Sequence, residues 1–472
     1  MSHIPILITG AGPTGLVLAL WLTKIGIKVR IIDKAEEKVT TSRALVIHAR
    51  TLEFYRQLGI ADHIVEMGFR FPALNLWVNQ VRTAQVSIAD IGKGVSPFSY
   101  IIILPQDQHE MILIKELEAL GVSIERNTEL IDLEQNEQKV TAQIRLSNND
   151  VETISADFLA GCDGARSIVR EKINAGFEGS TYPHLFYVAD VAGRGPVING
   201  ELHVSLDKSE FMAFFPLKQP GHARLIGVIR DENKTPTWDD VNPRLLQEMN
   251  VTITNVNWFS TYHVHHRVAS HFQKGRVFLL GDAGHIHSPL GGQGMNTGIG
   301  DAVNLAWKLG EVLNKKSDLS LLTTYEAERI GFARQLVQTT DRAFRFISND
   351  GPVAQTVRTK IVPIIFPWIF KLQIARHFLF QSLSQTGITY RKHFIKSAQK
   401  LQPGDRLPWI ESVDNFKPLQ SLDWQIHVYG DRAVKAKYEV HYFSWNKEMQ
   451  DKGLQKNIAY LIRPDGHLGF FT

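Results

Sequence analysis

The sequence predicts a mixed α/β protein: a three-layer domain interrupted by an inserted β-sheet domain, then a helical segment and a short α/β tail. Three observations lead there. The chain opens on a strand, a glycine turn, a helix and a second strand. Strand-rich stretches then interrupt the helical pattern twice. A further strand, glycine-rich loop and long helix follow near residue 281.

Residues 4–8 are a short apolar run containing Pro5 that leads straight into glycines, so they read as a buried strand and not as a secretory signal. A helix is expected over 13–25, capped by Gly26, and a β-branched strand over 28–33. A helix over 51–58 stops at Gly59. Residues 71–100 look like short strands joined by turns. A helix over 108–120 ends at Gly121, and strands are expected over 122–133, 140–146 and 153–160. The stretch 182–266 is strand-rich. A strand over 276–280, a glycine loop and a helix over 294–314 follow, and helical pattern dominates to residue 400. In the tail, strands are expected over 423–429 and 438–445, and Arg463-Pro464-Asp465-Gly466 is a turn between apolar strands over 458–462 and 467–471. The expected divisions are a discontinuous first domain (1–72, 102–180 and 268–345), an inserted β-sheet domain (73–101 and 181–267), a helical segment (346–400) and a tail (401–472).

A length of 472 residues suits two or three domains, and 44% hydrophobic with 21% charged residues is the composition of a soluble globular protein. A net charge of +4, with Lys and Arg read as scattered, gives no reason to expect a nucleic-acid partner. The single cysteine, Cys162, excludes an intrachain disulfide and a dithiol redox centre. It fits a reducing compartment, taken as the cytoplasm. The most apolar stretch, 361–380, is broken by Pro363 and Pro367 and carries Lys371 and Arg376, so no transmembrane segment is expected. It reads as a helix buried in the fold or resting on a membrane surface, with the buried reading preferred.

Three motifs carry chemistry. Gly10-Ala11-Gly12-Pro13-Thr14-Gly15 has the spacing G-x-G-x-x-G between a strand and a helix. Gly10 allows a tight turn, Gly12 lets a pyrophosphate approach the backbone, and Gly15 lets the helix pack on the sheet. Free N–H groups and the helix dipole favour phosphate, and Pro13 loses no needed hydrogen bond in the first turn. Asp33, followed by Lys34, ends the second strand where an acid binds ribose hydroxyls. The unit therefore reads as a Rossmann-like dinucleotide site. The second motif is Gly281-Asp282-Ala283-Gly284-His285, followed by Pro289-Leu290-Gly291-Gly292-Gln293-Gly294-Met295-Asn296. Asp282 can accept from polyol hydroxyls. The glycines admit a planar ring, and the helix N-terminus would stabilise an anionic reduced flavin. The third is Cys162-Asp163-Gly164-Ala165-Arg166-Ser167, which alone is equally well an ordinary turn with Ser167 or Asp163 as a helix cap.

Together these motifs resemble the class A flavoprotein monooxygenases, the family with the para-hydroxybenzoate hydroxylase fold, and within it the phenol, aromatic polyketide and tetracycline- or rifampicin-modifying hydroxylases. The resemblance covers residues 1–345. Ser42-Arg43-Ala44 and His48-Ala49-Arg50-Thr51 resemble the family segment whose arginine contacts FAD. Pro105-Gln106 with Glu110 resembles the family's glutamine beside the cofactor, and residues 301–309 match the helix after the glycine loop. Gly284 and Ser288 depart from the common alanine and proline. The tail resembles a shortened thioredoxin-like domain without its cysteines, which leaves it a packing or subunit-contact role.

The resemblance implies FAD as cofactor and NADPH or NADH as a transient co-substrate. Oxygen would be activated as a flavin C4a-hydroperoxide and transferred to a small aromatic or polycyclic substrate. It places Asp163, Gln106, Arg43 and Pro289 beside the cofactor. Phe211, Phe215 and Pro289 are the candidate substrate contacts; no acid, base or metal ligand is singled out. The His263/His265/His266 and His285/His287 clusters read as surface or capping groups. A homodimer is left open. Rival readings are a halogenase or double-bond reductase on the same fold, or a non-enzymatic flavin redox sensor.

Overall fold

The computed structural model describes residues 2–36, 44–78, 81–206, 211–229, 236–241, 246–247, 249–348, 351–391 and 400–471. The first sheet is built around Ser2–Thr9, which pairs in parallel with Val29–Ile32 on one side and Val151–Gly161 on the other. Val151–Gly161 does double duty. Its first half pairs antiparallel with Val140–Arg145, while its last residues pair in parallel with Val277–Leu279. The C-terminal ends of these parallel strands converge, and all three sequence motifs begin there. Open α/β sheets place their ligands at such ends.

The Pro13–Lys24 helix is apolar all round because it is enclosed all round: Leu16 to Leu22 are buried between the sheet and the helices Gln106–Ala119 and Gly294–Leu313. Its contact with Gly294–Leu313 is close. A Cβ on Gly298 would stand 2.3 Å from Thr14 Oγ1, and one on Gly310 2.3 Å from Ile25 Cδ1.

The second sheet gathers three separated stretches of chain. Its order is His285–Ile286, Thr252–Ala269, Phe177–Arg194, His222–Ile229, Phe211–Pro216, Leu202–Leu206, Ala73–Val78 and Val81–Ser87. The Ala73–Val78 hairpin strand joins it through a parallel pairing with Leu202–Leu206. At the other edge His285–Ile286, from the second glycine motif, bonds to Thr252–Ala269 and couples the sheet to that loop.

Three local features depart from the sequence reading. Val46–Ile47, Ile102–Ile103 and Phe69–Arg70 form a small third sheet, too short to show alternation. The helical pattern expected to reach residue 400 ends at Leu383, beyond which Gln385 takes a left-handed conformation and is buried; residues 392–399 lie outside the described set. The apolar stretch 361–380, read preferentially as buried, is a surface element. Val362–Lys371 and Gln373–Leu383 pack one face inward and leave Trp368 66%, Ile374 86% and Phe378 71% exposed. A helix apolar on every side buries only the side that has a neighbour, and among the described residues the outer side is left largely uncovered.

The tail folds as a four-stranded sheet, Glu439–Phe443, Gln425–Tyr429, Ala459–Ile462 and Leu468–Phe471, with the first pair parallel. Its crossover between the parallel strands is a loop in place of a helix, which accounts for its shortness. The Arg463–Gly466 turn is driven into the first domain. Arg463 makes paired bonds to Glu328 at 2.8 and 2.9 Å and bonds Asp465, and Asp465 accepts from Trp307 Nε1 at 3.2 Å. Arg50 donates to the Asp465 carbonyl, and Arg406 pairs with Glu53. These charged groups are buried, apart from Arg406, which is half-buried. Removing one partner strands the others, so Arg463→Ala should lower stability by about 3–5 kcal/mol in denaturant unfolding. A loss well under 1 kcal/mol would show that the tail is not locked in this way.

Candidate active site

The glycine turn is forced by its neighbours. Gly10 has φ +97° and its N–H donates to the Ile32 carbonyl at 2.8 Å; a Cβ there would lie 2.2 Å from the Cys162 carbonyl oxygen. The third motif thus packs directly against the first. A Cβ on Gly15 would lie 2.0 Å from the Gly10 oxygen. Gly12 is different: a Cβ there would meet nothing within 4 Å, so its open side faces the cavity. The helix begins at Pro13 with no side-chain cap, leaving its first N–H groups available.

Asp33 stands behind this turn, accepting from Ala11 N at 2.6 Å and Ala35 N at 2.8 Å, with Arg126 at 3.8 Å. Arg126 was not anticipated, being far from the glycine motif in sequence. Lys34 is exposed. Arg43 lies outside the described residues. Gln106 opens its helix at the cavity edge and donates to Glu110 at 2.8 Å; burial raises the Glu110 carboxyl to about 6. Asp163 points away from the cavity. It accepts from Ser167 Oγ at 2.6 Å and Val169 N at 3.1 Å, the capping arrangement that was the alternative reading of that motif. Gly164, its neighbour, lines the cavity instead.

The second motif is held from beneath by Asp301. Its Oδ2 accepts from Gly281 N at 3.0 Å and His285 Nε2 at 2.7 Å; its Oδ1 accepts from Arg329 Nε at 2.6 Å. Burial alone would raise the Asp301 carboxyl, but Arg329 and His285 overcome it and hold it below the usual range. Arg329 continues to the Thr297 carbonyl and the Tyr390 hydroxyl. His285 is therefore a buried bracing group stacked on Phe272, correcting its reading as a surface or capping residue. Asn296 likewise braces from behind. It accepts from His48 N and Thr51 Oγ1, and donates to the Val46 and Gly292 carbonyls, so its amide is fully used. Above these, Asp282, Pro289, Gly292, Gln293, Gly294 and Met295 line the cavity. Gly292 has φ +62° and approaches Val46 so closely that a Cβ would stand 2.7 Å away. The Gly294–Leu313 helix also starts without a side-chain cap.

The cavity holds about 900 Å³ and runs without interruption from Gly12 and Thr14 to the second sheet. There Phe211, Phe215, Phe186 and Tyr262 face it, and Phe366, Phe370, Leu379 and Leu383 close it from the surface helices. Two imidazoles in its wall were missed. His48 bonds the Gly291 carbonyl at 2.8 Å through Nε2 and leaves Nδ1 buried without a partner. His287 bonds the Ser288 carbonyl at 2.8 Å through Nδ1 and leaves Nε2 without one; Ser288 Oγ is also unpaired. Arg358, buried on a π-helical turn, adds a cation to the wall. His287, read as a surface or capping group, lies in the cavity wall, and His48 stood in a segment read only for its arginine; Arg358 had no neighbouring motif to mark it. Among the described residues no group of three His, Cys, Asp or Glu could hold a metal, and His265 and His266 bond Thr181 and Ser180.

Residues 3–340 match a family model described as FAD binding domain. The chain belongs to this FAD-binding family. It is 34% identical to the 6-methylpretetramide 4-monooxygenase of Streptomyces rimosus over 77% of its own length and 64% of that protein, so it spans less than two thirds of that relative. It is 31% identical to an uncharacterized aromatic compound monooxygenase of Bacillus subtilis, over 100% of its own length and 94% of the relative. The solved anhydrotetracycline hydroxylase of Streptomyces rimosus superposes with TM-score 0.80 at 25% identity, covering 100% of this chain and 96% of that one. The residues of this FAD-binding chain fit the dinucleotide: a backbone cradle open at Gly12, two uncapped helix N-termini, Asp282 at the cavity wall, and unpaired polar atoms on His48, His287 and Ser288.

Burial lowers both His48 and His287 from 6.5 to about 4. Folded, they stay neutral until pH nears that value, whereas the unfolded chain takes up protons from about 6.5 downward. The unfolded state then binds more protons, so stability is full above this window and falls as pH drops through it. Between about pH 7 and about pH 5 each imidazole should remove roughly 2 kcal/mol. Urea unfolding at both values should show His48→Gln recovering that amount, and an unchanged pH dependence would show that folded His48 takes up the proton.

Proposed function

We propose that this chain is an FAD-dependent monooxygenase that uses NAD(P)H and molecular oxygen to hydroxylate an aromatic or polycyclic substrate. One observation carries the reading: a single cavity joins the FAD cradle to a wall of aromatic side chains on the second sheet. The relatives' names, a 6-methylpretetramide monooxygenase and an aromatic compound monooxygenase, support the substrate class. Cys162 is half-buried at the cavity wall, and burial pushes its thiol well above the usual range, which supports a role without thiol chemistry. With the single cysteine, this suits the reducing cytoplasm.

Bound FAD, once reduced by the nicotinamide, supplies the activated oxygen. The chain's residues provide the setting. Gly12 and the N-terminus of Pro13–Lys24 hold phosphate, with Asp33 and Lys34 behind them at the ribose. Asp282 accepts from polyol hydroxyls, and the N-terminus of Gly294–Leu313 presents its positive end to the ring. Gly10, Gly15, Asn296 and Asp163 shape the site from behind. Gln106, Gln293 and Met295 flank the ring position, while Pro289, Phe211 and Phe215 bound the substrate. The aromatic wall orients a flat substrate and excludes water. Neutral His48 and His287 bond the Gly291 and Ser288 carbonyls and so fix the glycine loop beside the ring position.

Purified holoenzyme should oxidise NADPH slowly alone and faster with the right phenol or polyketide, and labelled oxygen gas should appear in the product. Stopped-flow reduction of equal speed with and without a hydroxylated substrate would remove substrate gating, since a ligand of uniform affinity shifts no equilibrium. Asp282→Ala should weaken FAD retention about ten- to hundredfold, matching the loss of a charged hydrogen bond of about 1.5–3 kcal/mol. Full flavin occupancy at limiting FAD would take Asp282 out of the site.

A further inference from the structure

The two helices that close the cavity are apolar on both faces. On Val362–Lys371 the inner row, Pro363, Phe366 and Phe370, turns to the protein. The outer row, Ile361, Ile364, Ile365, Trp368 and Leu372, follows helical spacing and lies in solvent, with Ile364 66% and Leu372 64% exposed. Ile374 and Phe378 extend it along Gln373–Leu383, and Val81, on the strand that Val362–Lys371 packs against, is 62% exposed. A contiguous patch of this kind marks an interaction surface.

The charge around it selects the partner. Residues 351–400 hold eight of the chain's 52 Lys and Arg and none of its 48 Asp and Glu. This segment therefore carries +8 while the rest of a +4 chain is net acidic. The basic residues remain scattered along the chain, and what sets this segment apart is that it holds no acidic residue to offset them. Lys360 and Lys371 are exposed beside the apolar row, and the Lys371 ammonium lies 4.5 Å from the Trp368 ring centroid. Apolar bulk, an indole and flanking ammonium groups are the composition of a helix lying in a bilayer interface. No described helix is long and apolar enough to cross a membrane. A second copy of this chain would set the exposed Lys360 and Lys371 against their own counterparts, so like charge opposes self-association on this face.

We propose that the outer face of Val362–Lys371 and Gln373–Leu383 docks on an anionic phospholipid surface, its apolar row entering the headgroup boundary and its lysines pairing with lipid phosphates. The opposite face of the same helices lines the cavity, so the docked face is one helix thickness from the interior. Docking stands independently of the hydroxylase reading, because vesicle binding requires no turnover.

The test is co-sedimentation of the full FAD-loaded chain with vesicles of phosphatidylglycerol and phosphatidylcholine, against phosphatidylcholine alone, at low and high salt. Binding should favour the anionic vesicles and weaken with salt. Lys360→Gln with Lys371→Gln should weaken it by more than about tenfold, since each basic side chain contributes about fivefold. Ile364→Ser with Trp368→Ser should abolish it while flavin content stays that of the parent. No sedimentation with anionic vesicles overturns the proposal, as does equal binding to neutral ones. It is overturned equally if the parent sediments as a dimer that Ile364→Ser with Trp368→Ser converts to monomer, for the face would then belong to a second copy.

Discussion

The flavin side of this molecule hangs on one carboxylate. Asp301 sits within the Gly294–Leu313 helix and reaches back to the glycine loop that precedes it, so a single side chain sets the loop against its own helix. Arg329 clamps the other oxygen and ties in Thr297 and Tyr390. An unpaired buried carboxylate is costly, and a paired one constrains everything that pairs with it. The glycine loop above it is thus fixed to the frame below at Gly281 and His285.

A second consequence is the division of labour around the cavity. Its floor is made of elements that other elements enclose: the two glycine motifs, the converging strand ends, and Asn296 with its amide saturated. Its roof is a pair of surface helices packed on one side. Between them stands the antiparallel sheet, joined to the floor through the short pairing of His285–Ile286. Floor and sheet are thus coupled by backbone hydrogen bonds, whereas the roof rests mainly on side-chain packing such as Phe380 against Gly92, with a backbone bond from Arg50 N to the Ser384 carbonyl at its end. Elements held mainly by side chains open at lower free energy than those in a ladder.

Much of the floor was legible in the sequence because its chemistry is local. The turn at Gly10, the cap at Gly26 and the helix after Gly294 each announce themselves within a few residues. What escaped was long-range. His48 meets Gly291, and Arg463 meets Glu328, through contacts that no window of sequence contains. Asp163 shows the limit from the other side: the motif was visible, but only its bonds to Ser167 and Val169 decide that the carboxylate caps a helix. The roof failed for a further reason. Apolar periodicity states that a face avoids water, yet burial depends on whether the fold supplies a neighbour, and for Trp368 it does not.

The Arg463–Glu328 contact also orders events in time. Lys308 and Glu328 lie in the core of the first domain, and the guanidinium that completes their network comes from the tail. A ribosome emits the glycine turn first and that guanidinium more than four hundred residues later. During synthesis the nucleotide-binding half must therefore wait with an incomplete ionic core until Arg463 has emerged, and strands made late finish a core begun by the first.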